Sequence, residues 1–221
     1  MRMRLSELGL VLFLGALPLA AGAQGFKFSN EDKSQEAEKA ARQARIDTQL
    51  STPCREQIKN RKIVVLIGEE VNGAVQARQA AFSPHLDAIN QRLQKLGLRT
   101  YSPEEIRKQI AQAEIDAYFK NNPDAALSAA KRLAANYTLK GLISARAMRN
   151  PMIPVNQVAV SMHFVLTGSD GRPVAQAEAQ SQSYAGADVQ GMALTLINEQ
   201  AEEVVAKLYS EYCQQPAGRR K

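Results

Sequence analysis

The sequence KIVVLI at residues 62–67 decides the fold. It is a run of strand length, apolar from Ile63 to Ile67, that lies between Arg61 and Gly68. Because a run without a polar face is typical of a strand covered on both sides, we predict a buried strand here. We expect this strand to be central in a sheet, with the rest of the domain supplying the layers that cover it.

A three-stranded antiparallel meander is predicted further along the chain. Residues 138–146, 158–167 and 174–184 each alternate between apolar or small residues and mostly polar ones. A period of two is typical of strands with one buried face and one wetter face. The Gly-Ser-Asp-Gly sequence at 168–171 is a turn signal between the last two of these segments.

Helices are predicted between and after the strands. Ser102 and Glu105 have the spacing of a capping box, which is typical of a helix start. The other predicted elements are a helix over 83–96, a short strand over 98–101, a helix from Asp124 and a long helix over 188–212. Together the patterns predict an α/β domain with the element order β-α-β-α-α-β-β-β-α. Its sheet should be mixed and mostly antiparallel, with helices mainly on one face.

The first 23 residues predict export. Arg2 and Arg4 precede an apolar run at 8–17, and Ala-Gly-Ala at 21–23 supplies a cleavage pattern. The apolar run is shorter than the about 20 residues that a spanning helix needs, so no stable membrane insertion is expected after cleavage of the signal peptide. The predicted location is periplasmic or secreted.

Composition divides the remaining chain into three parts. Residues 24–53 are predicted as a charged leader, helical or mobile, residues 54–213 as a single α/β domain, and residues 214–221 as a basic tail. The full chain has a net charge of +6, of which the tail carries a large share. An exported protein whose positive charge is concentrated in a tail is not expected to bind nucleic acid.

The two cysteines, Cys54 and Cys213, are predicted to form a disulfide. An even pair in an oxidising compartment is expected to bridge, and the loop closed here would cover nearly the whole domain. Two free thiols remain the alternative interpretation.

No catalytic or cofactor motif is recognisable in the sequence. His85 and His163 have no partner at a metal-ligand spacing, so we predict no metal, no cofactor and no enzymatic activity. Glu69 and Glu70 follow the first strand, where open α/β sheets often place functional carboxylates. The alternative function is therefore a periplasmic hydrolase or small-ligand-binding protein that uses a cleft near these two residues, or His163.

The loop between the first two meander strands is the best candidate for partner contact. Methionine, isoleucine and arginine side chains on an exposed connection suit a protein interface. The residues concerned are Arg146, Met148, Arg149, Met152 and Ile153. The plainer alternative is a loop that folds back on its own sheet.

Three segments carry a resemblance to a known family. They are KIVVLI at 62–67, LRTYSPEEI at 98–106, and ALSAAKRLAANYTLKGLISAR at 126–146, which contains Ala-x-Tyr-x-x-x-Gly. Residues 54–213 resemble the TolB-type amino-terminal domain of curli secretion channel subunits, the middle domain of flagellar assembly protein T and the outer-membrane activator of penicillin-binding proteins. The chain lacks the lipid-anchor cysteine of the lipidated members.

The resemblance implies a non-catalytic envelope module that binds proteins or assembles. We therefore predict an exported module that supports assembly or regulation of a cell-envelope machine through protein contacts. Its partners would be one or more envelope proteins, and the sequence gives neither their identity nor the oligomeric state.

Overall fold

A computed structural model describes residues 29–71, 73–77, 79, 83–120, 122–149, 151–152 and 155–216. The predicted signal peptide and residues 217–221 of the predicted tail lie outside this part of the chain.

The described residues form seven helices and six strands. The helices are α1 (Ser29–Leu50), α2 (Arg55–Ile58), α3 (Ser83–Lys95), α4 (Pro103–Gln109), α5 (Gln112–Phe119), α6 (Pro123–Arg132) and α7 (Val189–Gln214). The strands are β1 (Lys62–Val71), β2 (Ala74–Gln76), β3 (Arg99–Thr100), β4 (Tyr137–Arg149), β5 (Asn156–Gly168) and β6 (Pro173–Tyr184).

The strands form one mixed sheet in the order β2-β1-β4-β5-β6, and β3 also pairs with β1. β1 runs parallel to β3 and β4, whereas the β1–β2, β4–β5 and β5–β6 pairs are antiparallel. The predicted mixed, mostly antiparallel sheet is confirmed, as are the interior position of the first strand and the three-stranded meander.

β1 is covered on both sides, as its uninterrupted apolar sequence requires. Ile63, Val65 and Ile67 belong to a core with side chains of α3 and α7. Val64 and Leu66 belong to a second core with side chains of α4 and α5. The longer helices α3 and α7 thus share one face of the sheet, and the short helices cover β1 on the other face.

The predicted capping box is confirmed at the start of α4. The Glu105 backbone N–H donates to Ser102 Oγ at 3.2 Å, and the Ser102 N–H donates to Glu105 Oε2 at 2.8 Å. The helix is shorter than its sequence pattern suggests, because Ile110 has extended backbone angles and α5 starts afresh at Gln112. Phe119 at the end of α5 lies against Gly68, where a Cβ atom would be 2.6 Å from its ring.

The chain divides into two compact units, Met1–Ala37 and Glu38–Lys221. In the first unit, the described residues 29–37 are helical. In the second, Arg45 Nη2 lies 3.0 Å from Glu203 Oε1 of α7, and the Ile46 side chain is buried. The later part of the predicted leader therefore packs on the domain, which a charged and alanine-rich sequence did not indicate.

Cys54 and Cys213 are joined by a disulfide, with their Cα atoms 5.7 Å apart. Tyr209, one turn earlier on α7, holds the same segment with its buried hydroxyl. This hydroxyl donates to the Thr52 carbonyl oxygen and accepts from the Cys54 backbone N–H at 3.2 Å. The segment before β1 is thereby tied to the end of the last helix by one covalent bond and two hydrogen bonds.

Candidate functional site

One face of the meander is open to solvent, and we call it the open face. It consists of the even-numbered side chains of β4 and β6 and the odd-numbered side chains of β5, because directly paired residues share a face. Ser161, His163, Glu178 and Gln180 are exposed on this face, whereas the opposite side chains of the same strands pack against α3 and α7.

Large exposed hydrophobic side chains gather on and beside the open face. Among the described residues they are Val75 at 42%, Met148 at 53%, Met152 at 89% and Tyr184 at 56% exposure. Met148 and Tyr184 lie in one row on either side of Gln157, and Val75 pairs with Glu70. Met152 lies in the connection between β4 and β5. Single exposed apolar residues are common on protein surfaces. The location of these four on or beside one face is therefore what indicates a contact surface.

Polar side chains fill the area between these apolar residues. A shallow depression of about 550 Å³ is lined by residues of β1, β4, β5 and β6 that include Ser144, Ser161 and Gln180. Arg146 Nη2 lies 3.8 Å from Glu70 Oε1 at its edge. Further along the face, His163 Nδ1 and Glu178 Oε1 are 2.9 Å apart. The surface can therefore offer apolar contact, amide and hydroxyl groups, and charge.

A second concave site lies on the opposite face, where the beginnings of α3 and α7 meet the ends of β1 and β4. This cleft has a volume of about 580 Å³, an apolar floor that includes Ile143 and Ile197, and Glu69 and His85 among its polar residues. Burial lowers the pKa of His85, and the nearby Glu69 carboxylate opposes this shift. The partly buried imidazole therefore stays neutral at a lower pH than an exposed imidazole would.

The structure separates the two carboxylates that the sequence placed side by side. Successive residues of a strand point to opposite faces, so Glu69 borders the α3–α7 cleft and Glu70 contacts Arg146 on the open face. His163 also lies on the open face, where it pairs with Glu178. Glu70 and His163 therefore lie on the face of the sheet opposite to the α3–α7 cleft that Glu69 borders.

The predicted contact residues lie mostly on a strand and not in a loop. Arg146, Met148 and Arg149 belong to β4, which extends beyond the buried core as an exposed hairpin arm. Arg146 and Met148 face the open side, and Met152 is in the turn. Ile153 lies outside the described residues. The hairpin is longer than predicted because its backbone pairing continues to Arg149 and Asn156.

Sequence reasoning missed Val75, Tyr184 and Gln79. β1 continues beyond the predicted strand to Val71 and pairs with β2, which places Val75 opposite Glu70. Tyr184 is the next residue in the series of even-numbered polar positions on the last meander strand. The alternation of that strand therefore places its side chain on the exposed face. Gln79 has a buried side chain that accepts from Ile67 N at 2.9 Å and donates to Ile67 O at 2.8 Å. No local sequence pattern indicates such a contact.

Within the described part of the chain, no cluster of three or more histidine, cysteine or acidic side chains could hold a metal ion. The helices in the same part include none that is long and apolar enough to span a bilayer.

Comparison with solved structures finds bacterial proteins to which part of this chain is similar. Lipoprotein GNA1162 from Neisseria meningitidis is 11% identical with a TM-score of 0.48, and the match covers 65% of this chain and 97% of that one. A minor lipoprotein from Acinetobacter baumannii is 8% identical with a TM-score of 0.41 over 69% and 93%. The LpoB C-terminal domain from Escherichia coli is 13% identical with a TM-score of 0.35 over 59% and 93%.

At these identities and scores the likeness says nothing about function. No protein-family model matches the sequence, and neither does any curated protein. The resemblance to a TolB-type domain therefore stays a prediction.

Proposed function

We propose that this protein is an exported, non-catalytic module that supports assembly or regulation of a cell-envelope machine through protein contacts. The contact surface is the open face together with the hairpin arm of β4 and β5. The observation that carries the proposal is the gathering of Val75, Met148, Met152 and Tyr184 on and beside one face. The periplasm, or the outside of the cell, is the proposed location.

The chemistry of the surface limits the kind of partner. Met148 and Met152 are unbranched and adaptable, so they can pack against irregular apolar side chains. Tyr184 combines a large contact area with a hydroxyl group, as aromatic anchors at interfaces do. Arg149 at the end of β4 is exposed and adds positive charge, whereas Glu70 partly neutralises Arg146. A protein surface with apolar anchors and acidic residues at its rim would be complementary.

Site-specific photocrosslinking in cells tests this proposal. A photoreactive amino acid is placed at Met148, and in a separate strain at Glu202, which is exposed on α7 away from the open face. We expect an adduct of defined mass from position 148 and not from position 202. Equal adducts from both positions, or none from position 148, would contradict the proposal.

A substitution series then measures the contribution of the methionines. Met148→Ser with Met152→Ser should reduce recovery of the crosslinked partner, with the crosslinker moved to Tyr184. The matched control is Glu202→Ser. Since Met148 and Met152 are exposed, the melting temperature of the double variant should stay within a few degrees of the parent. A collapse of stability would show that the methionines support the fold.

The α3–α7 cleft supports a second candidate function, the binding of a small molecule. Its volume of about 580 Å³ is within the usual range for ligand sites, and its floor is apolar with Glu69 and His85 at the side. A ligand with an aliphatic body and a hydrogen-bonding or cationic head would match these groups. Fragment screening by NMR tests this, with Ala193→Trp as a variant that fills the cleft. Hits that bind the parent and not the variant would support it.

A further inference from the structure

We propose that two copies of this chain pair through the free edge of β6, antiparallel and centred on Ser181. The proposal concerns the edge of the sheet, and it goes beyond the partner contacts proposed for the open face. Each copy would extend the sheet of the other.

The first observation is that β6 ends the sheet. It is a 12-residue strand that, among the described residues, pairs with β5 on one side and with no strand on the other. The Gln176 backbone N–H donates to Glu211 Oε2 at 2.9 Å and not to β5. Because backbone groups alternate along a strand, the N–H and C=O groups of Glu178, Gln180, Gln182 and Tyr184 also point away from β5.

The second observation is that the sequence of the edge beyond Gln176 lacks the usual protecting residues. Natural edge strands are guarded by lysine, proline, bulges or covering segments. Here Glu211 occupies the edge at Gln176, but the sequence from Ala177 to Tyr184, AEAQSQSY, contains a single charge and no lysine or proline. The unguarded part of the edge is therefore long enough to accept another strand.

The third observation is that this part of the edge is complementary to itself. In an antiparallel pair centred on Ser181, Gln180 of one copy faces Gln182 of the other, and Glu178 faces Tyr184. Amide groups meet amide groups, a carboxylate meets a phenol, and no like charges face each other. The outward-pointing backbone groups of the four residues would exchange about eight hydrogen bonds.

The Glu211 contact selects this register over its neighbours. A pair centred on Gln180 would require the Gln176 N–H to leave Glu211. A pair centred on Gln182 would place Glu178 opposite Gly186, which lies beyond the end of the strand. Only the Ser181 register uses the whole unguarded edge and leaves the Gln176–Glu211 bond intact.

Cysteine crosslinking of the full exported chain tests the proposed register. In the non-hydrogen-bonded pair at the twofold axis, the Cα atoms of the two Ser181 residues would be about 4.5 Å apart, which permits a disulfide. Ser181→Cys should therefore give a reducible dimer under mild oxidation. Ser183→Cys is the matched control, because its two copies would be about 14 Å apart at about 3.4 Å per residue.

Sedimentation velocity tests the association itself. We expect the parent chain to form dimers at micromolar to submillimolar concentration. Gln180→Pro should give monomers with an unchanged melting temperature, since the lost N–H points away from β5 and proline is tolerated on edge strands. A parent chain that stays monomeric over this range would overturn the proposal. So would a dimer in which Ser181→Cys crosslinks no better than Ser183→Cys.

Discussion

Phe164 occupies the space in which a side chain at residue 141 would begin. Gly141 on β4 pairs directly with Phe164 on β5, and a Cβ atom built on the glycine would lie 2.3 Å from Phe164 Cε1. The same atom would be 2.8 Å from Ile67 Cδ1 on β1. The glycine thus leaves room on β4 for the fully buried ring of Phe164.

Gly141→Ala should therefore destabilise the fold. The added methyl group would displace Phe164 or Ile67, and overpacking of this kind costs about 1–3 kcal/mol. Urea unfolding followed by circular dichroism measures the loss. In a Phe164→Leu background the cost of Gly141→Ala should be smaller, because the shorter side chain leaves room. An equal cost in both backgrounds would show that the clash is not its cause.

Gln79 is predicted to be as important for stability as a core residue. Its buried amide bonds the backbone N–H and C=O of Ile67 and also donates to Ala77 O at 2.7 Å. Gln79→Met keeps the size but leaves the N–H and C=O of Ile67 without this partner, at about 1–3 kcal/mol for each buried group left unsatisfied, whereas Ala77 O still accepts from Gln112 Nε2 at 3.1 Å. Gln79→Glu also removes the donors, since a carboxylate accepts from Ile67 N and cannot donate to the carbonyls, and it adds the cost of burying a charge. If both variants unfold at the urea concentration of the parent, the amide is dispensable.

These residues show what sequence reasoning could and could not reach. The β1 strand, the meander and the Ser102–Glu105 capping box follow from local patterns, because each depends on periodicity or on residues three positions apart. The role of Gln79 depends on a backbone segment 12 positions away, and the ion pair of Arg45 depends on Glu203 of α7. Neither contact leaves a local pattern.

The candidate site was predictable only in part for the same reason. Met148 and Met152 could be identified as exposed apolar residues on a strand connection. Val75 and Tyr184 join them only through the pairing of β1 with β2 and of β5 with β6. The sequence did not predict that Glu69 and Glu70 point to opposite faces of the sheet. Their directions follow only once β1 is known to continue past Gly68 as a strand, because a loop would not fix them.

Loss of the disulfide should strongly destabilise the exported protein. Cys54 and Cys213 are 159 residues apart in sequence, and closure of a loop this long restricts the unfolded chain by about 4–5 kcal/mol in the chain-entropy treatment. Cys54→Ser with Cys213→Ser should lower the free energy of unfolding by about 3–5 kcal/mol.

Alkylation before and after reduction provides the check on this pairing. Freshly isolated protein should take up no alkylating reagent until it is reduced and denatured, and mass spectrometry should identify a peptide pair that contains both cysteines. Two thiols that react without reduction would refute the bridge. Tyr209→Phe offers a comparison, because it removes the hydrogen bonds to Thr52 and Cys54 and retains the covalent link.

His85 should make stability depend on pH in the acidic range. Burial lowers its pKa in the folded protein from the ordinary value of 6.5, so the unfolded chain binds a proton more readily than the folded one. The associated stability is complete above about pH 6.5 and is lost as the pH falls below that value toward the lowered pKa of the folded state. Melting temperatures measured from pH 7.5 to pH 5 should therefore fall less steeply for His85→Gln than for the parent. Glu69→Gln should have the opposite effect, because the carboxylate opposes the lowering of the His85 pKa and its removal deepens it. Parallel pH profiles for the parent and His85→Gln would show that protonation of this imidazole does not contribute to the pH dependence of stability. That result would weaken the case for His85 as a neutral polar group in the α3–α7 cleft.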